Sequence, residues 1–439
     1  MKIRAGRDSI VKSASRERSK VLETPRNRLL DDRMPLIHKP VTPDGLAPKV
    51  REVLDAQTAT SEDEPSSVRG RRPAVKQRLQ RIGILTGGGD CPGLNTVIRG
   101  VVKAAMHTHG AQVFGFYDAF RGLVRGEGKW LEWNDVSGIL TVGGTILGTT
   151  NRDNPFEYVD DPRHPDRRRD ASGDIVANYH KLKLDALVAV GGDGTLQCAY
   201  ELSKRGLRVV GIPKTIDNDV RGTEMTFGFN TAATTATEAV DKLHTTAAAH
   251  HRVMVLEVMG RTAGWLALTA GVAGGGDVIL IPEIPYRLGA VCAKIRERAR
   301  SGKGFSIIVV SEGAKPAGGT VVVRDRLPGS YEQVRLGGIS AVLAKQIEEA
   351  TQVETRYTIL GHLQRGGTPS PYDRFLATQF ATAAVELLAK GRFNRMVSLQ
   401  GDRISSISLN VPGKAPRLVS PRSQAIRMAR SIGTSFGDA

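Results

Sequence analysis

Beyond about residue 80 the chain alternates short apolar runs with segments of helical spacing, and glycine marks most of the joins. Ile82 to Thr86 predicts a strand that leads into Gly87-Gly88-Gly89-Asp90-Cys91-Pro92-Gly93, and Leu94 to Met106 then follows a helical period. Val113 to Phe116 predicts the next strand. Leu187 to Val190 predicts another, ending in Gly191-Gly192-Asp193-Gly194-Thr195 before a further helical segment. Leu207 to Ile212 reads as a buried strand, and Val253 to Val258, Val278 to Ile281 and Ile307 to Val310 are further β-branched runs. Strands alternating with helices predict an α/β fold with largely parallel, doubly wound sheets and helices on both faces. So many strands exceed what one sheet needs, which predicts two lobes with a cleft between them.

Residues 1 to 80 break this pattern. They are rich in Arg, Pro and Ser, mix both signs of charge and hold no apolar period, so they predict a mostly disordered extension that cannot bury enough surface to offset ordering. Val50 to Leu54 is its best candidate for a short docked helix, and acidic residues such as Asp31, Asp32, Glu62 and Glu64 argue against an organellar transit peptide.

Composition narrows the class. The 439 residues, 40% of them hydrophobic, suffice for two lobes and a tail, and no apolar run of roughly 18 residues or more suggests a membrane span. Three scattered cysteines, Cys91, Cys198 and Cys292, are too few for a disulfide framework or a zinc site and predict a reducing cytoplasm. The net charge of +17 points to nucleic acid, a membrane surface or anionic small substrates. Aromatic residues make up only 5% and do not interleave with the basic clusters, which argues against single-strand stacking and leaves phosphorylated substrates as the better use of the arginines.

The chemistry concentrates in Pro213-Lys214-Thr215-Ile216-Asp217-Asn218-Asp219, directly after a predicted strand. Two carboxylates two residues apart, with an ammonium just upstream, suit in-line phosphoryl transfer, which needs a base for the attacking hydroxyl, anionic ligands for Mg²⁺ and cations for the moving charge. The alternative is a turn whose acidic and amide side chains only cap a helix. Two strand-glycine-helix turns, each carrying an Asp (Asp90, Asp193), add candidate phosphate cradles, since glycine lets the backbone approach an anion at a helix N-terminus. No G-x-x-x-x-G-K-[ST] occurs, which excludes a P-loop enzyme, and the first βα turn lacks the G-x-G-x-x-G of a dinucleotide reader.

GILTGGGDCPGLN, GGDGT, PKTIDND, EVMGRTAGW and LGHLQRGG stand in the order typical of the phosphofructokinase family, and the chain resembles that family from about Arg81 to about residue 400. The resemblance implies two Rossmann-like lobes with mainly parallel sheets: 81–228 with about 364–414 would bind the phosphoryl donor, and 229–363 with about 415–439 the sugar phosphate. It implies fructose 6-phosphate as acceptor, Mg²⁺ as cofactor and a homo-oligomer, tetramer or dimer. Asp217 resembles the family's general base on the sugar 1-hydroxyl, with Thr215 and Asp219 its companions, and Asp193 its Mg²⁺-associated carboxylate. Gly89, Gly194 and Thr195 match donor-binding positions. Met259, Gly260 and Arg261 resemble the sugar-phosphate loop, with Arg261 also stabilising the transferring group; Glu312 matches a ligand of sugar hydroxyls. Arg356, His362 and Arg365 match contacts to the 6-phosphate and Arg252 another phosphate contact, Arg252 and Arg356 reaching in from a neighbouring subunit. Where family members carry an arginine after Leu147-Gly148-Thr149-Thr150, this chain has Asn151 and then Arg152, one residue late, so Arg152 is a candidate on the donor side. Arg163 to Asp170 looks like a basic loop insertion.

For the donor, the family pairs an Asp at the Gly194 position and a Lys at the Lys214 position with pyrophosphate, and two glycines with ATP; this chain is a hybrid. Gly194 keeps the space for the α-phosphate open and favours ATP, and Lys214 keeps pyrophosphate as the alternative. GGDGT alone also suggests a NAD or lipid kinase, and an inactive sugar-phosphate-binding paralogue is the rival outside catalysis.

Overall fold

A computed structural model of the protein describes residues 79–161, 163–326 and 334–439, all within the unit Lys76–Ala439. The expected extension, with Val50 to Leu54, lies outside the described residues apart from its last two positions. In chain order the first eight strands are β1 (Arg81–Thr86), β2 (Gln112–Phe116), β3 (Gly128–Leu131), β4 (Tyr158–Val159), β5 (Arg168–Arg169), β6 (Ala186–Gly191), β7 (Val209–Thr215) and β8 (Phe227–Gly228). They are followed by β9 (Val253–Val258), β10 (Val278–Leu280), β11 (Ser306–Ser311), β12 (Val323–Arg326), β13 (Val334–Leu336), β14 (Thr355–Ile359), β15 (Arg395–Gln400) and β16 (Arg403–Ser408).

Two separate sheets carry the molecule. The larger runs β16-β15-β7-β6-β1-β2-β3 with β8 beside β7, parallel at its centre and antiparallel at its edges. The smaller, β10-β11-β9-β14, is parallel throughout. Fully buried, largely apolar strands such as β9 and β11 fit a parallel sheet covered on both faces. Along β9, Val253 and Val255 enter one core, whereas Met254, Leu256 and Val258 enter a second core that also takes Ile82, Ile84, Val188 and Val190 of the larger sheet. A third cluster, with Leu85, Phe116, Leu187 and Ala189, fills the other face of the larger sheet. One hydrophobic layer is therefore common to both sheets.

Helices supply the covering. Leu94–His109 packs on Pro371–Ala389 at a point where Gly100 has no room for a side chain: a Cβ there would lie 2.6 Å from that of Ala381. Ser370 caps Pro371–Ala389, accepting from Asp373 N, with Pro371 in the first turn where its missing N–H does no harm.

Two expectations shift. The strand expected over Leu207 to Ile212 runs instead over Val209–Thr215, because Leu207 N donates to Leu202 O and closes the preceding helix. Pro213 is tolerated inside it because β15 pairs only as far as Gly211, so the missing N–H faces no partner strand on that side. The basic run expected as a loop forms a hairpin, β4 against β5, whose arginines pair with local acids: Arg169 with Asp160 and Asp174, Arg168 with Glu157. These are exposed pairs of small energetic weight.

Candidate active site

The two glycine turns meet side by side, since β1 and β6 are hydrogen-bonded neighbours. Gly87 N donates to Val190 O at 2.8 Å and Gly88 N to Thr150 O at 3.0 Å, tying the first turn to the second strand and to the Thr149-Thr150 loop. Thr195 fills the space between them and is buried. A Cβ on Gly87 would sit 2.7 Å from its hydroxyl, and one on Gly191 would overlap its side chain. Asp193, Gly194 and Thr195 form the first turn of the helix Asp193–Ser203, where free N–H groups and the dipole favour anions.

The carboxylates gather where β7 ends. Asp217 and Asp219 are only 4% and 5% exposed, in a turn whose middle residue, Asn218, has φ 53°. Asp217 N donates to Thr215 Oγ1 at 3.1 Å, and Thr215 Oγ1 donates to Asp217 Oδ2 at 3.2 Å. Asp217 Oδ1 and Asp193 Oδ1 are buried with no hydrogen-bond partner. Burial pushes the Asp193 carboxyl up to about 8, the Asp219 and Asp217 charges push the same way, and Arg261 opposes them. Burial and the neighbouring acids thus outweigh Arg261 at Asp193. Orphaned carboxylate oxygens are hard donors suited to Mg²⁺, which takes one or two carboxylates and completes its shell with water and phosphate. That mode needs no cage of three protein ligands, and among the described residues no three His, Cys, Asp or Glu side chains form one.

Lys214 lies on the same strand, is 3% exposed, and its ammonium donates to the carbonyl of Gly89. Burial, with Arg365 next in the same direction, pulls its pKa down.

The opposite wall comes from the smaller sheet. After β9 the chain turns through Met259, Gly260 at φ 138° and Arg261 at φ 53°; a Cβ on Gly260 would lie 2.6 Å from Ala263 O. Arg261 N donates to Glu312 Oε1 at 3.0 Å, and Met259 N donates to Gln364 Oε1 at 2.9 Å. Burial raises the Glu312 carboxyl to about 7, with Asp217 the next contributor, which puts these two acids within electrostatic reach across the site. Arg365 NH1 reaches back to Asp90 O at 3.2 Å and packs where a Cβ of Gly89 would stand. A cleft of about 1460 Å³ is lined by Gly89, Met259, Arg261, Glu312, His362 and Arg365, among others.

The lining of that cleft does not include Asp193, Asp217 or Asp219, and Arg152, Arg252 and Arg356 stand apart from the site. Asn151 lines the cleft and Arg152 is exposed, its N–H bonded to Thr150 Oγ1. Arg252 and Arg356 sit at the starts of β9 and β14, opposite to the end that bears Met259 and Arg261, about 20 Å away at strand rise. There they share Glu354, at 2.8 Å and 2.5 Å. The motif reading passed over Gln364, which orients Met259 from within the LGHLQRGG segment, and Glu257, whose buried carboxylate takes Gly338 N and Ser340 N at 2.8 and 2.9 Å. Each was inside or beside a quoted motif, but its role depends on a partner distant in the chain.

A family model described as phosphofructokinase matches residues 81–388. ATP-dependent 6-phosphofructokinase 2 of Clostridium perfringens is 50% identical over 367 residues, covering 83% of this chain and 100% of that protein. ATP-dependent 6-phosphofructokinase of Spirochaeta thermophila is 50% identical over 373 residues, covering 84% and 99%. Among solved structures, Pichia pastoris phosphofructokinase in the T-state superposes with a TM-score of 0.66 at 28% identity over 86% of this chain and 40% of that one. The family match takes in the whole smaller sheet, all of the larger one but its last two strands, and all five motifs, and the chain belongs to the phosphofructokinase family.

Proposed function

We propose that the protein is an ATP-dependent 6-phosphofructokinase, transferring the terminal phosphoryl group of ATP to the 1-hydroxyl of fructose 6-phosphate in glycolysis. The observation that carries this reading is the buried Asp217 carboxylate, with one oxygen held by Thr215 and the other unpartnered, within electrostatic reach of Asp193 and of Glu312, to which the Arg261 loop is bonded. In the proposed reaction Asp217 Oδ1 takes the proton of the 1-hydroxyl as that oxygen bonds to the terminal phosphorus and the bond to ADP breaks. Arg261 offsets the charge that grows on the transferring group, Glu312 orients the sugar hydroxyls, and His362 with Arg365 holds the 6-phosphate. Asp193, with Asp219 nearby, would hold Mg²⁺, which when bound neutralises phosphate oxygens of the donor.

The donor lobe is assigned to 81–228 with about 364–414 and the sugar-phosphate lobe to 229–363 with about 415–439, in keeping with the strands of the two sheets and with Ser435 bonded beside β10. Gly89, Gly194 and Thr195, together with the exposed Arg152, are assigned to the donor. ATP is favoured over pyrophosphate for a reason the hybrid pattern hid: the Lys214 ammonium is occupied with the Gly89 carbonyl and acts as a brace of the first glycine turn. The ATP-dependent relatives support the same choice.

A homo-oligomer accounts for Arg252 and Arg356. β14 is an edge strand, and Tyr357 and Ile359 along it and Leu363 in the turn that follows are 51%, 45% and 69% exposed, a surface suited to a second copy that would receive these arginines. A reducing cytoplasm suits the three free, buried cysteines.

The test is a coupled assay at fixed fructose 6-phosphate with ATP or with pyrophosphate. Turnover with ATP alone is expected, and Gly194→Asp should abolish it first by filling the α-phosphate space with a like charge. Turnover with pyrophosphate alone would overturn the donor assignment, and no turnover with either would overturn the function.

A further inference from the structure

One residue near the C-terminal end joins the carboxylate turn to the opposite wall of the cleft. The backbone N–H of Arg417 donates to Asp219 O at 2.6 Å, and its guanidinium NH1 donates to Asn218 O at 2.9 Å. Both carbonyls that follow Asp217 are thus held by a residue remote in the chain. They belong to a turn that needs holding, since Asn218 has φ 53°, a region that a residue with a Cβ enters only under constraint. Asn218 supplies the other half of the restraint, its Oδ1 accepting from Thr226 N at 3.1 Å.

The same arginine is fixed to the second lobe. Trp265 Nε1 donates to Arg417 O at 2.8 Å, and the guanidinium lies over the indole, 4.1 Å from the ring centre. Trp265 begins the helix that follows Met259-Gly260-Arg261. Two residues beyond Arg417, Val419 N donates to Glu283 Oε1 at 2.8 Å, and that carboxylate also accepts from Gly264 N at 3.0 and 3.1 Å. The segment 417–419 therefore ties the end of the Arg261 loop to the Asp217 turn, while Leu418 faces the cleft.

We propose that Arg417 is a positioning residue, which clasps the Asn218 and Asp219 carbonyls and, through Trp265, fixes the Asp217 carboxylate against the Arg261 loop. The inference rests on the functional reading above. A planar guanidinium suits the task because it donates in its plane while stacking through its face, which an ammonium does less well. The carbonyl contacts fix where Asp217 points, not how the sugar phosphate is bound, so loss of the guanidinium contact to Asn218 O, the one a side-chain variant removes, should appear in kcat.

The test uses the full-length protein with Arg417→Met, Arg417→Lys and Trp265→Phe. Arg417→Met should lower kcat about 30-fold, the scale of a sub-ångström displacement of a reacting group, with the Kd for fructose 6-phosphate from calorimetry within about threefold of wild type. Arg417→Lys should recover part of the loss. A kcat for Arg417→Met within about twofold of wild type, or a fall in kcat matched by equal loss of sugar-phosphate binding with no recovery in the lysine variant, overturns the proposal. Should Arg417→Met not fold, Trp265→Phe keeps an aromatic face under the guanidinium and removes the indole N–H; its kcat should fall about fivefold at unchanged Kd, and an unchanged kcat overturns the proposal equally. Amide exchange over 216–221 reads the clasp without reference to any reaction and should quicken about tenfold in Arg417→Met; unchanged exchange refutes the clasp. If wild type fails to phosphorylate fructose 6-phosphate, the functional reading falls, and the exchange experiment still judges Arg417.

Discussion

The base role proposed for Asp217 rests on what each of its oxygens meets. Oδ2 is held by the Thr215 hydroxyl at 3.2 Å, which fixes the carboxylate plane, and Oδ1 is buried without a partner and so available to a substrate proton. Removing the carboxylate in Asp217→Ala should lower kcat by about 100-fold or more while the Kd for fructose 6-phosphate changes only a few-fold; comparable turnover in the variant would remove Asp217 as the base. Asp193 differs, because its burial beside two other acids opposes ionisation. A carboxyl with a raised folded-state pKa stabilises the fold at low pH and loses that contribution as pH rises through the folded value, here between its ordinary 3.8 and about 8. Asp193→Asn stays neutral, so ligand-free variant should gain in Tm over wild type as pH climbs across that window. A Tm difference that stays constant from about pH 5 to about pH 8 would contradict the raised Asp193 carboxyl.

At the scale of elements, parallel strands deliver the reactive groups. β7 and β9 both present their residues at C-terminal ends, where parallel sheets leave space for ligands. The glycines of the first two turns are demanded by contact: Gly87 and Gly191 wall in Thr195, and Gly89 leaves room for Arg365. The helix Pro371–Ala389 anchors the segment that carries His362 and Arg365, and Ser370 starts it by accepting from Asp373 N at 3.2 Å. Ser370→Ala should cost about 1 kcal/mol of stability in denaturant titration, the usual effect of a lost cap, with kcat nearly unchanged. A change in activity larger than the change in stability would mean that this helix start positions the site directly.

For the whole molecule, the common hydrophobic layer joins the two sheets, and the cleft gathers groups from both. Asp90 and Arg365, 275 positions apart, touch across it. Arg252 and Arg356 are the exception, and the distance along their strands bars them from the cleft of their own chain. Arg356→Ala should raise the KM for fructose 6-phosphate about tenfold at protein concentrations where sedimentation detects an oligomer. An unchanged KM would exclude the arginine from any sugar site.

The sequence by itself determined the alternation of strands and helices, the two glycine turns and the acidic turn after β7. These depend on period, on glycine's missing Cβ and on side chains a few residues apart, all local properties of the chain. The start of β7 was displaced by two residues because Leu207 closes the preceding helix, a competition that apolar spacing does not record. Only the tertiary structure decided that Lys214 braces Gly89, that Gln364 orients Met259, that Arg252 and Arg356 lie far from the cleft, and that Arg417 holds the Asp217 turn. Each joins residues many positions apart through one hydrogen bond or one strand length, and no spacing along a chain specifies which distant donor a buried carbonyl will find.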